Sequence, residues 1–117
     1  MKYVFLVAMS LLLMDSAFAQ DDYYRRKAES YTREAEYYQK KADGYRREAE
    51  YYLKKAEGYQ REAAYCIKKG KIDNARTYTR YADSAMDNYK TQMRYASHAD
   101  EKATQYLKWA ADALTKL

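Results

Sequence analysis

The sequence predicts an all-α protein: an antiparallel two-helix coiled-coil hairpin that assembles further into a helical bundle. Three observations carry that expectation. Alanine recurs every seven residues from Ala28 to Ala63, and tyrosine does the same from Tyr24 to Tyr59. The 117 residues include no Pro and only 3 Gly, which argues against a turn-rich β fold. The heptad pattern breaks once, at Gly70-Lys71-Ile72-Asp73-Asn74, and resumes in a new phase.

The first element, residues 1–19, reads as a secretory signal peptide. Lys2 supplies the positive start, Val4 to Met14 is apolar but for Ser10, and Ala17-Phe18-Ala19 has the small-x-small form of a cleavage site. Cleavage between Ala19 and Gln20 is expected, giving a secreted, extracellular product over residues 20–117. The apolar run is too short to span a bilayer, so no membrane insertion is expected.

The second element is a helix over about 22–69. Residues 23–36, 37–50 and 51–64 read YYRRKAESYTREAE, YYQKKADGYRREAE and YYLKKAEGYQREAA, three copies of a two-heptad repeat. Each Ala stands three residues before a Tyr and four after the previous one. That 3-4 alternation is a seam with Ala at a and Tyr at d, and it implies left-handed supercoiling. Acids at b (Glu29, Glu36, Asp43, Glu50, Glu57) precede bases at f (Arg33, Lys40, Arg47, Lys54, Arg61) by four residues, the favourable orientation for helix ion pairs. The g positions alternate Lys27, Glu34, Lys41, Glu48, Lys55 and Glu62, a pattern that can set the register of a partner.

A turn is expected over 70–74, with Gly70 closing the first helix and Asp73 or Asn74 capping the next. The third element is a helix over 75–117, with Ala75, Ala82, Tyr89, Ala96, Ala103, Ala110 and Leu117 at a. Tyr78, Ala85, Gln92, Ala99, Tyr106 and Ala113 fall at d. Two long helices joined by a short loop predict an antiparallel hairpin. The second helix also carries Met86, Met93, Leu107 and Leu114 at e, and Tyr81, Tyr95 and Trp109 at g. That face is wider than one partner helix covers, so self-association of hairpins is expected.

Composition excludes most chemistry. One His and one Cys leave no multi-histidine metal site and no internal disulfide framework. No phosphate-binding loop, catalytic triad order or HExxH run occurs, so the chain reads as non-enzymatic and without a cofactor. Asp83, Asp87 and His98 read as solvated helix faces. The net charge of +5 is interleaved with acids, which gives no concentrated cationic field, and export argues against a nucleic-acid partner. The candidate sites are few. Cys66 continues the d series, either as a small seam residue or as the half of an intermolecular disulfide. The 16 tyrosines divide into a d set, expected in the core, and Tyr23, Tyr37, Tyr51 and Tyr65 at c. The c set is suited to packing against a third helix or to exposed contact and oxidative cross-linking.

A leader, short tandem repeats, Tyr with Lys and Arg, and Ala-rich heptads over residues 23–66 together resemble secreted molluscan extracellular-matrix proteins of the shell-matrix and byssal or foot kinds. The chain departs from the adhesive foot proteins in being Pro-free and helical, and from acidic mineral-nucleating proteins in being basic. The resemblance therefore implies a scaffold, for shell biomineralization or byssal fibre, bound to itself and to other matrix proteins. The alternative expectation is a soluble secreted binding or defence protein of cationic antimicrobial type built on the same hairpin.

Overall fold

The computed structural model describes the backbone from Lys2 and the side chains of residues 19–117. The expected leader falls, Ala19 aside, outside the fully described residues. The chain is an all-α hairpin of two helices, α1 (Lys2–Lys68) and α2 (Ile72–Leu114), 67 and 43 residues long. Among the described residues there is no strand.

The turn is shorter than the sequence suggests. Lys71 N donates to Cys66 O at 2.8 Å and Gly70 N donates to Ile67 O at 3.1 Å. This pair of bonds is the Schellman closure, which needs the first of its two donor residues in the left-handed conformation. Gly70 supplies it with φ 72°. The chain then re-enters a helix at once, because Lys71 O already accepts from Ala75 N at 3.0 Å. Asp73 therefore lies inside the first turn of α2, not at its cap as expected. Its charge still favours the positive end of the helix dipole. At the far end α2 stops at Leu114, and Leu117, expected as the last a residue, is 52% exposed.

Two compact units make up the hairpin: Met1–Tyr37 with Lys102–Leu117, and Tyr38–Glu101. In the first, Ala28, Ala110 and Ala113 form a buried cluster with Tyr31 packed against it. In the second, Ala42, Ala49 and Ala56 are 0–1% exposed, and Ala82, Ala85, Ala96 and Ala99 are buried. The a alanines of both helices are buried, as the periodicity requires.

The tyrosines at d depart from expectation. Tyr24, Tyr31, Tyr38, Tyr45, Tyr52 and Tyr59 are half-buried, and the only buried side chains among the described residues are alanines and Cys66. Alanine projects one methyl, so paired helices approach until their backbones nearly meet. A phenol does not fit between such surfaces and lies along the flank instead. This position also leaves the hydroxyls within reach of water, and no buried side-chain polar atom lacks a hydrogen-bond partner among the described residues.

Of the five expected b-to-f ion pairs, Glu50–Lys54 closes, at 3.2 Å; the others are not formed among the described residues. Exposed pairs contribute about 0–1 kcal/mol and hold long side chains at an entropic cost, so the regular acid–base stripes act chiefly as solvation. Asp22–Arg26 also closes, at 2.9 Å.

Candidate interaction face

The chemistry-bearing surface is aromatic. In the first unit, Tyr31 of α1 meets Trp109 of α2 at 5.8 Å between ring centroids, and Tyr106 at 6.2 Å. In the second, Tyr45 meets Tyr95 at 5.5 Å. Tyr59 there meets Tyr81 at 5.4 Å and stacks on Tyr78 at 6.3 Å. These separations and tilts are those favoured by aromatic quadrupoles. Tyr31 and Trp109, Tyr45 and Tyr95, and Tyr59 and Tyr81 are each equidistant in sequence from Gly70. The contacts thus follow from one antiparallel register, in which every second d tyrosine of α1 meets a g aromatic of α2.

Two of the remaining d tyrosines, Tyr24 and Tyr52, line open clefts. Tyr24, Lys27 and Tyr31 line an open cleft of about 260 Å³ with Trp109, Asp112 and Ala113. Tyr52, Lys55 and Tyr59 line its counterpart of about 150 Å³ in the second unit, with Tyr81, Ser84 and Ala85. The two clefts share their α1 residues in kind and differ in α2, where Trp109, Asp112 and Lys116 in the first stand as Tyr81, Ser84 and Asn88 in the second.

One ion pair joins the helices in the second unit. Arg46 donates to Asp100 through Nη2 and to Asp43 through Nη1, the latter at 2.9 Å. The Asp100 hydrogen bond is the main reason the guanidinium is held above its ordinary pKa, with desolvation opposing it. Sequence reasoning missed this pair. Its signal was there: Arg46 and Asp100 both stand four residues after seam alanines, Ala42 and Ala96.

Each residue singled out in the sequence has a definite place. Tyr23, Tyr37, Tyr51 and Tyr65 lie outside the seam and are 51–55% exposed. Lys27 Nζ stands 5.3 Å from the Tyr23 ring, Lys55 Nζ 5.1 Å from Tyr51, and Lys69 Nζ 5.8 Å from Tyr65. Each cation is four residues on, the spacing that brings helical side chains together. Lys27 and Lys55 are held above their ordinary pKa chiefly by donating hydrogen bonds to the Tyr23 and Tyr51 hydroxyls. Tyr23 and Tyr51 also meet Tyr24 and Tyr52 edge-on at 5.2 and 5.3 Å. Cys66 is a free thiol, 5% exposed; its burial matches the small-seam-residue reading, and an interchain disulfide would require the hairpin tip to open. Ala19 and Gln20 are exposed.

The flanks of the seam remain open. At g, Tyr81 and Tyr95 in the second unit and Trp109 in the first are 43–51% exposed; at e, Met93 in the second and Leu107 and Leu114 in the first are 38–51% exposed. Among the described residues no helix is long and apolar enough to cross a membrane, and no group of three or more His, Cys, Asp or Glu is gathered to hold a metal ion. No protein-family model matches the chain, and neither a curated protein nor a solved structure does.

Proposed function

We propose that the chain is an exported, non-enzymatic structural protein that self-associates into an extracellular matrix of shell or byssus type. The observation that carries this reading is the pair of open flanks. The seam is closed with alanine, yet large apolar side chains stand on both sides of it, about half exposed. Exposed apolar surface rich in Tyr, Trp and Met is the composition of interfaces, and helices that are apolar beyond one partner's width associate further. The leader-like first 19 residues support export, and the exposed phenols support a contact or cross-linking role in a solid material. Other matrix proteins and further copies of the chain are the partners this implies.

Sedimentation equilibrium on residues 20–117 tests the reading. Concentration-dependent association at micromolar protein is expected, and a stable monomer overturns it. Recovery of the protein from an insoluble extracellular fraction would support the matrix assignment. Recovery as a free solute in body fluid would transfer the same hairpin to a soluble binding or defence role.

A further inference from the structure

The chain has two isoleucines, Ile67 and Ile72, and both stand at the hairpin tip in the second unit. They are 60% and 48% exposed, Ile67 more than any other large apolar residue among those described. The turn makes no use of them. The apolar contact that accompanies a Schellman closure joins the residues sharing its outer hydrogen bond, and here those are Lys71 and Cys66. Ile67 and Ile72 instead line an open groove of about 530 Å³, together with Ala75, Arg76, Thr79 and Arg80.

The same segment concentrates the charge. Residues 67–80 hold Lys68, Lys69, Lys71, Arg76 and Arg80 against Asp73 alone, a net +4 out of the +5 carried by the whole chain. Residues 20–66 hold a net +1, and residues 81–117 are neutral. The interleaving of acids and bases expected for the whole chain thus holds in the arms and fails at the tip. All five cations are exposed. Asp73 reaches only Arg76, at 4.0 Å, and Lys69 lies over the Tyr65 ring. Among the described residues Lys68, Lys71 and Arg80 form no ion pair.

A partner for this tip has to take cations and isoleucines side by side. A second copy does not, because its tip is equally positive and its arms carry no net negative charge. A free polyanion pairs with the cations and leaves the isoleucines in water. An anionic bilayer accepts both: its headgroups attract clusters of about four to eight Lys and Arg, and its acyl boundary lies within about 5–10 Å of the surface. We infer that the hairpin tip is a contact site for an anionic lipid surface, with Ile67 and Ile72 dipping between headgroups that the five cations hold. The contact is made at the surface, without a crossing helix among the described residues. It is independent of association through the flanks of the seam.

The test is cosedimentation of residues 20–117 with vesicles of phosphatidylcholine and phosphatidylserine, against vesicles of phosphatidylcholine alone. Binding to the mixed vesicles is expected to be about tenfold tighter or more, and to fade as salt rises. Ile67→Ser/Ile72→Ser should weaken it about tenfold or more. Lys68→Ala and Lys71→Ala should each weaken it about fivefold. All four positions are exposed, and far-ultraviolet circular dichroism checks that each variant keeps its helices. Equal binding to both kinds of vesicle, no binding, or binding that the tip variants leave unchanged overturns the inference. So does binding that needs the lysines but not the isoleucines and that free polyphosphate competes away, which makes the tip a site for polyanions in general. An isoleucine variant that keeps vesicle binding and loses self-association in sedimentation velocity assigns the pair to contact between copies, and overturns it as well.

Discussion

Tyr45 of α1 and Tyr95 of α2 meet at 5.5 Å between ring centroids with planes inclined by 57°. The contact ties one flank of the alanine seam to a residue that the hairpin leaves 46% exposed. Tilted aromatic pairs add about 0.5–1.5 kcal/mol beyond the area they bury. In a double-mutant cycle of Tyr45→Ala and Tyr95→Ala, a coupling energy in that range is expected from urea denaturation. Additive effects would show that the rings touch without stabilising each other.

Ala42 is fully buried in the seam of the same unit. A leucine there has to push the helices apart or turn off its rotamer, and overpacking of this kind costs about 1–3 kcal/mol. Ala42→Leu should therefore lower the melting temperature followed by far-ultraviolet circular dichroism. Leucine is nearly as good a helix former as alanine, so any loss reports on packing.

Gly70 holds φ at 72° and has no neighbouring atom within 4 Å of a would-be Cβ. Space is free, but a side chain in the left-handed region costs about 1–2 kcal/mol. Gly70→Ala should destabilise the hairpin by that amount in denaturant melts, and Gly70→Asn by less.

Cys66 is 5% exposed at the hairpin tip. A thiol reagent should modify it at least about tenfold more slowly in native buffer than in denaturant, because reaction waits on local opening. Non-reducing electrophoresis of freshly purified protein should show a single-chain band with one titratable thiol. A dimer band that dithiothreitol removes would establish that the tip opens and pairs between chains.

The Lys55 ammonium is held above 10.5 by its hydrogen bond to the Tyr51 hydroxyl and by the charge of that phenol when ionised. A folded-state pKa raised above the unfolded one gives a stabilising contribution that is complete below the unfolded value and lost as pH climbs through the folded one. Tyr51→Phe should lower the Lys55 pKa toward 10.5, followed by titration of its Nζ resonance. Any stability difference between wild type and Tyr51→Phe that comes from this pair should shrink as the pH is raised above 10.5.

Much of the hairpin was legible in the chain because its core is written in one letter. The spacing of Ala28 through Ala63 marks the seam, and Gly70 marks the reversal. The same spacing misled about Tyr24 through Tyr59. Heptad position says which way a residue points, but not how much room the partner leaves, and alanine leaves too little for a ring. The start of α2 was misplaced because Asp73 has the chemistry of a cap, whereas the Schellman closure at Gly70 allows the helix to restart sooner. The exposed places of Tyr23, Tyr37, Tyr51 and Tyr65 followed from their c positions. Their lysine partners four residues on are readable from helix spacing alone, whereas the Arg46–Asp100 pair is not read from the Gly70 centre, because the two residues stand at unequal distances from it.

The equidistance of the ring contacts from Gly70 also limits how such a chain can change length. A duplication of one two-heptad block in α1 alone would keep ring opposite ring, because Tyr81, Tyr95 and Trp109 repeat at the same two-heptad spacing, but it would carry Tyr31 past the end of α2 and leave that end of α1 without a partner helix. Tracts of this kind expand readily one copy at a time, yet here a gain in one arm is neutral only when the other gains the same number of residues at the mirrored place. Lineages descended from this sequence should vary in length by paired steps, or not at all.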